Sequence, residues 1–216
     1  RKLLNAAREE AQAVSNIIQG HSLKMEGRKK RSADAEAEKL QLTMDAAALE
    51  NRIRLLTEME KEYEGFSNAV KLVMQAAEKK ALRGIHGPVA SLIKTQEKYT
   101  VALEIALGAG MQNIVVDREE DGKAAISYLK QRNGGRATFL PMTAVRGDTL
   151  RENVSGEYGF VGLAVDLIEY DRQYDGIFKS LLGRTVVVED LDCGIAMARK
   201  YRNAFRIVTL DGQVMN

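Results

Sequence analysis

The sequence predicts an α+β protein in which a long α-helical arm precedes a domain of two similar sheet-and-helix subdomains. Residues 1 to 83 contain no proline, two aromatics (Tyr63 and Phe66) and three glycines (Gly20, Gly27 and Gly65), whereas residues 84 to 216 hold both prolines and the other fifteen of the eighteen glycines. Apolar side chains recur at alternating three- and four-residue steps through the first part, the period of a helix that buries one narrow stripe. In the second part valine-rich runs alternate with helical ones, and the order helix, strand, helix, strand occurs twice. The expected division is an arm at 1–83 and a domain at 84–216.

Every seventh residue from Leu4 reads Leu4, Ala11, Ile18, Met25, Ser32, Lys39, Ala46 and Ile53; the series three residues on reads Ala7, Val14, His21, Arg28, Ala35, Leu42, Leu49 and Leu56. Most are apolar or small over a coiled-coil length. Past Leu56 the stripe shifts to Met59, Tyr63, Phe66, Val70, Val73 and Ala77, which predicts a local overwinding of one continuous rod. The middle is poorer, with His21, Arg28, Ser32 and Lys39 at core positions beside GRKKR at 27 to 31. It reads as a solvated, weakly paired stretch and not as a strip for DNA phosphate. A continuous helix of this span reaches roughly 120 Å, and its narrow stripe needs a partner helix. No second helix of that length is in the chain, so the expected partner is another chain or a segment outside these residues.

After Ala81, Leu82 and Arg83, Gly84 is the expected helix stop, and Pro88 forbids simple continuation while suiting a new helix start. VASLIK (89–94) and KYTVALEIALGAG (98–110) carry helical spacing, with Tyr99, Ala102, Leu103, Ala106 and Leu107 on one face. NIVVD (113–117) is a short buried strand, GKAAISYLKQR (122–132) a helix, Asn133-Gly134-Gly135 a turn, and RATFLPM (136–142) a strand closed by Pro141. The second unit runs through FVGLAVDLIEY (160–170), DGIFKSLLGR (175–184), TVVVED (185–190), LDCGIAMARKYR (191–202) and FRIVTLDG (205–212). Both copies pass from a leucine-glycine helix end into a valine-rich strand.

Charge and motifs exclude several function classes. The net charge of +2 divides as 16 basic minus 13 acidic residues in the first part and 16 minus 17 in the second, so neither part is a polyelectrolyte. No apolar run reaches transmembrane length, and no signal-peptide pattern is present in a chain whose start at Arg1 reads as that of a fragment. Cys193 is the one cysteine, which rules out an internal disulfide or a cysteine-rich zinc site and fits a reducing compartment. Neither a GxxxxGKS/T phosphate loop nor a dinucleotide glycine fingerprint occurs. His21 and His86 lie far apart without metal-ligand spacing. Asp117, Glu119, Glu120 and Asp121 read as a solvated helix start, and Cys193 beside Met197 as a small buried residue. No catalytic, cofactor-binding or metal-binding residue is assigned.

Taken in order, GIHGPVASLI, KYTVALEIALGAGMQNIVVD, AAISYLKQRNGGRATFLPM and FRIVTLDGQV follow a coiled-coil arm. This order closely resembles the hinge of the structural maintenance of chromosomes (SMC) proteins, specifically a bacterial condensin subunit with the last part of its amino-proximal arm. The resemblance covers 84 to 216 and, through the heptads, 1 to 83. It implies a non-catalytic joint that dimerises with a second copy of the same hinge, giving a V- or ring-shaped pair of rods that holds DNA during chromosome condensation and segregation. The family's ATPase heads, with their ATP and Mg, are built from the chain termini, so no cofactor is expected in these residues. Further implied partners are the returning coiled-coil helix of the parent chain, DNA, and accessory condensin subunits bound through other regions, with no membrane. The implied location is cytoplasmic and nucleoid-associated. In the family the segment like FRIVTLDGQV continues into a glycine-rich run at the dimer contact and then into the returning helix; with the sequence stopping at Asn216, dimerisation is expected to be weakened.

Within that frame Gly84, His86, Gly87 and Pro88 mark the passage from rod helix to hinge, with His86 packing or hydrogen-bonding at the neck. Dimer contacts are assigned to Gly108, Ala109 and Gly110, whose competing reading is an ordinary helix cap, and to a terminal edge strand about Thr209, Leu210 and Gly212. Phosphate contacts are assigned to Arg199, Lys200, Arg202 and Arg206, then to Lys130, Arg132 and Arg136, which cluster at helix ends and turns. The competing function is a small regulatory or ligand-binding α+β domain fused to a signalling coiled coil. A zinc-hook rod tip would need a CxxC, which the lone Cys193 does not supply.

Overall fold

In the computed structural model, residues 2–215 are described. The first element, α1 (Lys2–Lys61), is an uninterrupted helix of 60 residues with no buried residue, about 90 Å long. Its heptad stripe lies open, with Leu42, Leu49 and Ile53 each more than half exposed.

The helix ends earlier than the spacing predicts. Tyr63 and Gly65 take left-handed backbone, φ 53° and 89°. Ser67 then caps a new helix, α2 (Asn68–Glu78), its hydroxyl accepting from the Val70 N–H at 3.5 Å. The expected overwinding is therefore a turn. Val70 and Val73, read as the tail of the stripe, are buried together with Ala69, Met74 and Ala76 against Ile114, Val116, Ala125 and Leu129. The chain divides into a unit up to Glu62 and a compact unit from Tyr63 onward, so the expected break at 83/84 falls inside the compact unit. Apolar steps of three and four describe a helix packed on any apolar surface, coiled or globular, which is why the two were not distinguished. A chain beginning at Tyr63 is expected to keep the full chain's melting temperature within about 2 °C; a larger drop in a thermal melt would contradict the division.

Gly84 is also not the helix stop. α2 ends at Glu78 with Lys79 as its cap, and Lys80 takes the left-handed position (φ 59°) while the Ala81 N–H reaches back to the Ala76 carbonyl at 2.8 Å.

The rest of the compact unit is one motif used twice. In the first copy β1 (Ile85–Pro88) is followed by β2 (Lys94–Thr95), α3 (Thr100–Leu107), β3 (Ile114–Val116), α4 (Glu119–Gln131) and β4 (Phe139–Pro141). In the second, β5 (Phe160–Leu163) is followed by β6 (Ile168–Glu169), α5 (Asp175–Leu182), β7 (Thr185–Val188), α6 (Leu191–Lys200) and β8 (Arg206–Thr209), with β9 (Val214–Met215) added. The first strand pairs antiparallel with the central one and the central one parallel with the last, in both copies. Both first strands carry a bulge at the same point, between Ile85 and Gly87 and between Phe160 and Gly162. β2 and β6 pair with each other and tie the copies together. Each copy thus opens on a strand that the helix-first reading missed, and VASLIK is a short 3-10 turn (Val89–Leu92) followed by β2.

Strand alternation explains the core. Val115, Val187 and Val208 point into a shared cluster with Leu103, Ala164, Phe178 and Leu182. Their neighbours point the other way: Ile114 and Val116 towards α2 and α4, and Val186, Val188 and Ile207 towards Cys193 and Met197 of α6. Both faces of each sheet are covered, so the strands are apolar throughout.

Gly84 and Gly159 occupy equivalent points, with φ of 66° and 73°. Their carbonyls accept from the residue after the central strand, from Asp117 N–H at 2.8 Å and Glu189 N–H at 2.9 Å. A Cβ on Gly84 would run into the Asp121 carboxylate, and one on Gly159 into the Cys193 Sγ. Glycine is required here by a close crossing over the following helix as well as by its φ.

Candidate interface surfaces

The junction residues all fall at β1 or just before it. The His86 Nε2 lies 2.8 Å from an Asp117 carboxylate oxygen and the Nδ1 2.9 Å from the Tyr174 hydroxyl. A carboxylate only accepts, so Nε2 donates to Asp117, while Nδ1 pairs with the Tyr174 hydroxyl. The imidazole stands edge-on to the Tyr174 ring, which in turn stands edge-on to Phe178. Burial, then the charges of Asp171 and Asp117, push the Tyr174 hydroxyl above its ordinary pKa. His86 therefore bridges the first strand of one copy and the first helix of the other.

Gly108, Ala109 and Gly110 lie at the C-terminal end of α3. Gly108 is its cap, with φ 49° and its N–H bonded to the Glu104 carbonyl, and nothing stands within 4 Å of a Cβ placed on it. The segment is a cap and an open surface at once. Thr209 departs from the expectation of an edge. It is fully buried on β8, which has neighbours on both sides, and its Oγ1 accepts from the Gln213 N–H at 2.9 Å. The terminal edge belongs to β9, while Leu210 packs on the shared core. Gly212 turns the chain between β8 and β9 (φ 91°) and lies on α3, where a Cβ would stand 3.1 Å from Val101 and 3.2 Å from Ile105.

Two segments far apart in sequence thus meet on one helix face. Val101 and Ile105, 49% and 39% exposed, form it together with Gly108. The sequence reading missed both because it counted only the buried stripe of α3. The available signal was a second set of apolar residues, one helical turn apart, outside that stripe.

The same face of α5 is covered. Gly176, Ser180 and Gly183 stand where α3 has Val101, Ile105 and Gly108, and the connection between the copies crosses them. A Cβ on Gly147 would overlap the Ser180 backbone, one on Gly176 would stand 2.9 Å from the Val145 carbonyl, and the Leu150 N–H donates to the Gly183 carbonyl at 2.8 Å. Over α3, Gly212 makes that approach and the two apolar side chains stay exposed.

The basic candidates fall at two equivalent places, the C-terminal ends of α4 and α6 and the loops after them. Lys130 and Arg136 line a groove with Ile126, Leu129 and Ala137; Arg199 and Arg202 line another with Ile195, Ala198 and Met215. Arg132 lies over the Tyr128 ring at 4.1 Å. Lys200 pairs with Glu157 at 2.6 Å. Arg206 leaves the set, because its Nη1 and Nη2 donate to the carbonyls of Ala106 and Ile105 at 2.8 and 3.3 Å.

Lys200, then the Tyr201 hydroxyl, hold the Glu157 carboxyl below its ordinary range. Lys179 does the same for Asp175, the Thr143 hydroxyl for Glu119, and the Cys193 N–H for Asp190. Each folded pKa lies below its unfolded value, so the stability these groups confer is complete above the ordinary carboxylate range and is lost as pH falls through it. The melting temperature is expected to fall between about pH 5 and pH 3, with a shallower fall in Glu157→Gln; identical slopes for the two chains would contradict the assignment. Asp190 and burial push the Cys193 thiol up, which keeps it protonated and unreactive.

Among the described residues no three His, Cys, Asp or Glu side chains converge as a metal site, and no helix is long and apolar enough to cross a membrane.

In sequence, a 60-residue helix with no buried residue is followed by a compact unit built from one strand-and-helix motif used twice. The family model described as the SMC proteins flexible hinge domain matches residues 82–198, and the chain belongs to that family. Among its relatives, the chromosome partition protein Smc of Bacillus subtilis (strain 168) is 40% identical over 166 residues, covering 75% of this chain and 14% of that protein. That of Desulfitobacterium hafniense (strain Y51) is 38% identical over 188 residues, covering 85% and 16%. The chain therefore spans a small part of the length of these relatives. A crystal structure of an asymmetric dimer of the Geobacillus stearothermophilus SMC hinge domain matches with a TM-score of 0.82 and 38% identity, over 89% of this chain and 77% of that one. The Pyrococcus furiosus Smc hinge domain with an extended coiled coil matches with a TM-score of 0.58 and 29% identity, over 97% and 76%.

Proposed function

We propose that this chain is the dimerisation joint of a chromosome-partition ATPase, with an arm followed by a hinge domain. The observation that carries the reading is the approach of Gly212 to the exposed Val101 and Ile105, on the helix that the open Gly108 caps and on a face whose α5 counterpart is covered. A second copy of the chain is the occupant: the G. stearothermophilus hinge, 38% identical, crystallised as an asymmetric dimer. The outer edges of β9 and β4 also offer backbone pairing, although Pro141 gives β4 no N–H at one position.

The open stripe of α1 takes the returning helix of the parent chain. The ATPase heads with their ATP and Mg, and the sites for accessory subunits, belong to other parts of the parent protein, which acts on the nucleoid in the cytoplasm and holds DNA between its rods. Direct DNA contact falls to Lys130, Arg136, Arg199 and Arg202, which have no ion pair among the described residues.

Sedimentation equilibrium over a wide concentration range tests the joint. A monomer–dimer equilibrium is expected, and a strict monomer up to about 100 μM, a binding energy of only about −5 kcal/mol, would overturn it. Fluorescence anisotropy with a labelled 30-mer DNA at several salt concentrations tests the basic sites. Affinity should fall with salt and with charge reversal at those four residues; unchanged binding in the reversed variant removes them.

A further inference from the structure

Arg206 stands at the start of β8, and its side chain crosses from the second copy to the first. Its two terminal nitrogens donate to the Ile105 and Ala106 carbonyls. These lie in the last turn of α3, where intrahelical partners run out and the helix dipole favours a cation. Nε is buried without a partner, so the guanidinium is placed by α3 and not by its immediate surroundings.

The same hairpin touches α3 a second time, through Gly212 against Val101 and Ile105. The helix has only eight residues, and its buried face consists of Ala102, Leu103, Ala106 and Leu107. Contacts of that kind are non-directional and allow a short helix to roll or slide. Two hydrogen bonds from a planar guanidinium do not.

We propose that Arg206 is a positioning residue for the dimer surface: it fixes the rotation of α3 so that Val101, Ile105 and Gly108 form one face with Gly212. The proposal rests on the reading of that face as the dimer contact.

The test uses the full chain with Arg206→Met and Arg206→Lys, the latter keeping the charge but unable to bridge two carbonyls with fork geometry. Arg184→Met is the control, since Arg184 makes a similar bond to the Ala204 carbonyl at 3.2 Å, away from α3. Hydrogen exchange followed by mass spectrometry reports on residues 105–112, and sedimentation equilibrium on the dimer. Both Arg206 variants should speed exchange at 105–112 while α4 and α6 keep their protection, and should weaken the dimer about tenfold; the control should do neither. Unchanged exchange at 105–112 in both variants overturns the positioning role whether or not the chain dimerises. Faster exchange with an unchanged dimer constant overturns the link to assembly. A wild-type chain that stays monomeric overturns the dimer reading, and the exchange result then still decides whether Arg206 holds α3.

Discussion

Two glutamates on the exposed face of α3, Val101→Glu with Ile105→Glu, are expected to weaken the dimer by at least about a hundredfold while leaving the fold intact. Both side chains are already partly in water in the single chain, at 49% and 39% exposure, so the monomer loses little by exchanging them. Each copy would carry two new carboxylates into the contact beside its existing Glu104, against an apolar surface of the partner. Burying unpaired charge is far costlier than losing two apolar contacts. Sedimentation equilibrium reads the dimer and circular dichroism the fold. A variant that is folded and still dimeric would place the joint elsewhere, with the edge of β9 next to be tested.

Gly159→Ala is expected to lose about 3 kcal/mol of stability and to lower the melting temperature by roughly 10 °C. Its φ of 73° strains any L side chain, and its Cβ would meet the sulfur and Cβ of Cys193, which is only 5% exposed. Gly84→Ala should cost less, about 1–2 kcal/mol. The atoms in its way belong to Asp121, which can swing out at the expense of the bond it accepts from the Arg118 N–H at 3.1 Å. Adding Cys193→Ala to Gly159→Ala should recover part of the loss, because it removes the sulfur in the way. Urea unfolding of the four chains gives the comparison. Equal losses at Gly84 and Gly159, or no recovery from the second change, would mean that strain in φ and not the crossing decides both sites.

Much of the hinge was legible because its strands and outer helices follow simple periods. IVV, TVVV and RIVT read as buried strands since both of their faces are covered, and α4 and α6 carry a clear apolar side. The misses share a cause. β1 and β5 are short, bulged and interrupted by glycine or proline, so they lack the alternation that marks a strand. α2 has the spacing of the arm but packs into the domain, and no local rule separates a seam from a core face. Arg206 was grouped with surface cations from its neighbours in sequence, although its hydrogen-bond partners lie at Ile105 and Ala106.

What the sequence by itself determined is local and repetitive: a rod helix with an unsatisfied stripe, two copies of one unit, and glycines at points where the backbone crosses closely. Period, composition and the backbone limits of glycine and proline act within a few residues, so they survive in a linear reading. Only the tertiary structure decided where the arm gives way to the domain, which face of α3 stays uncovered, and which arginine reaches across the copies. Those depend on segments brought together from opposite ends of the domain, and a contact such as Gly212 on Val101 and Ile105 leaves no periodic trace in either segment.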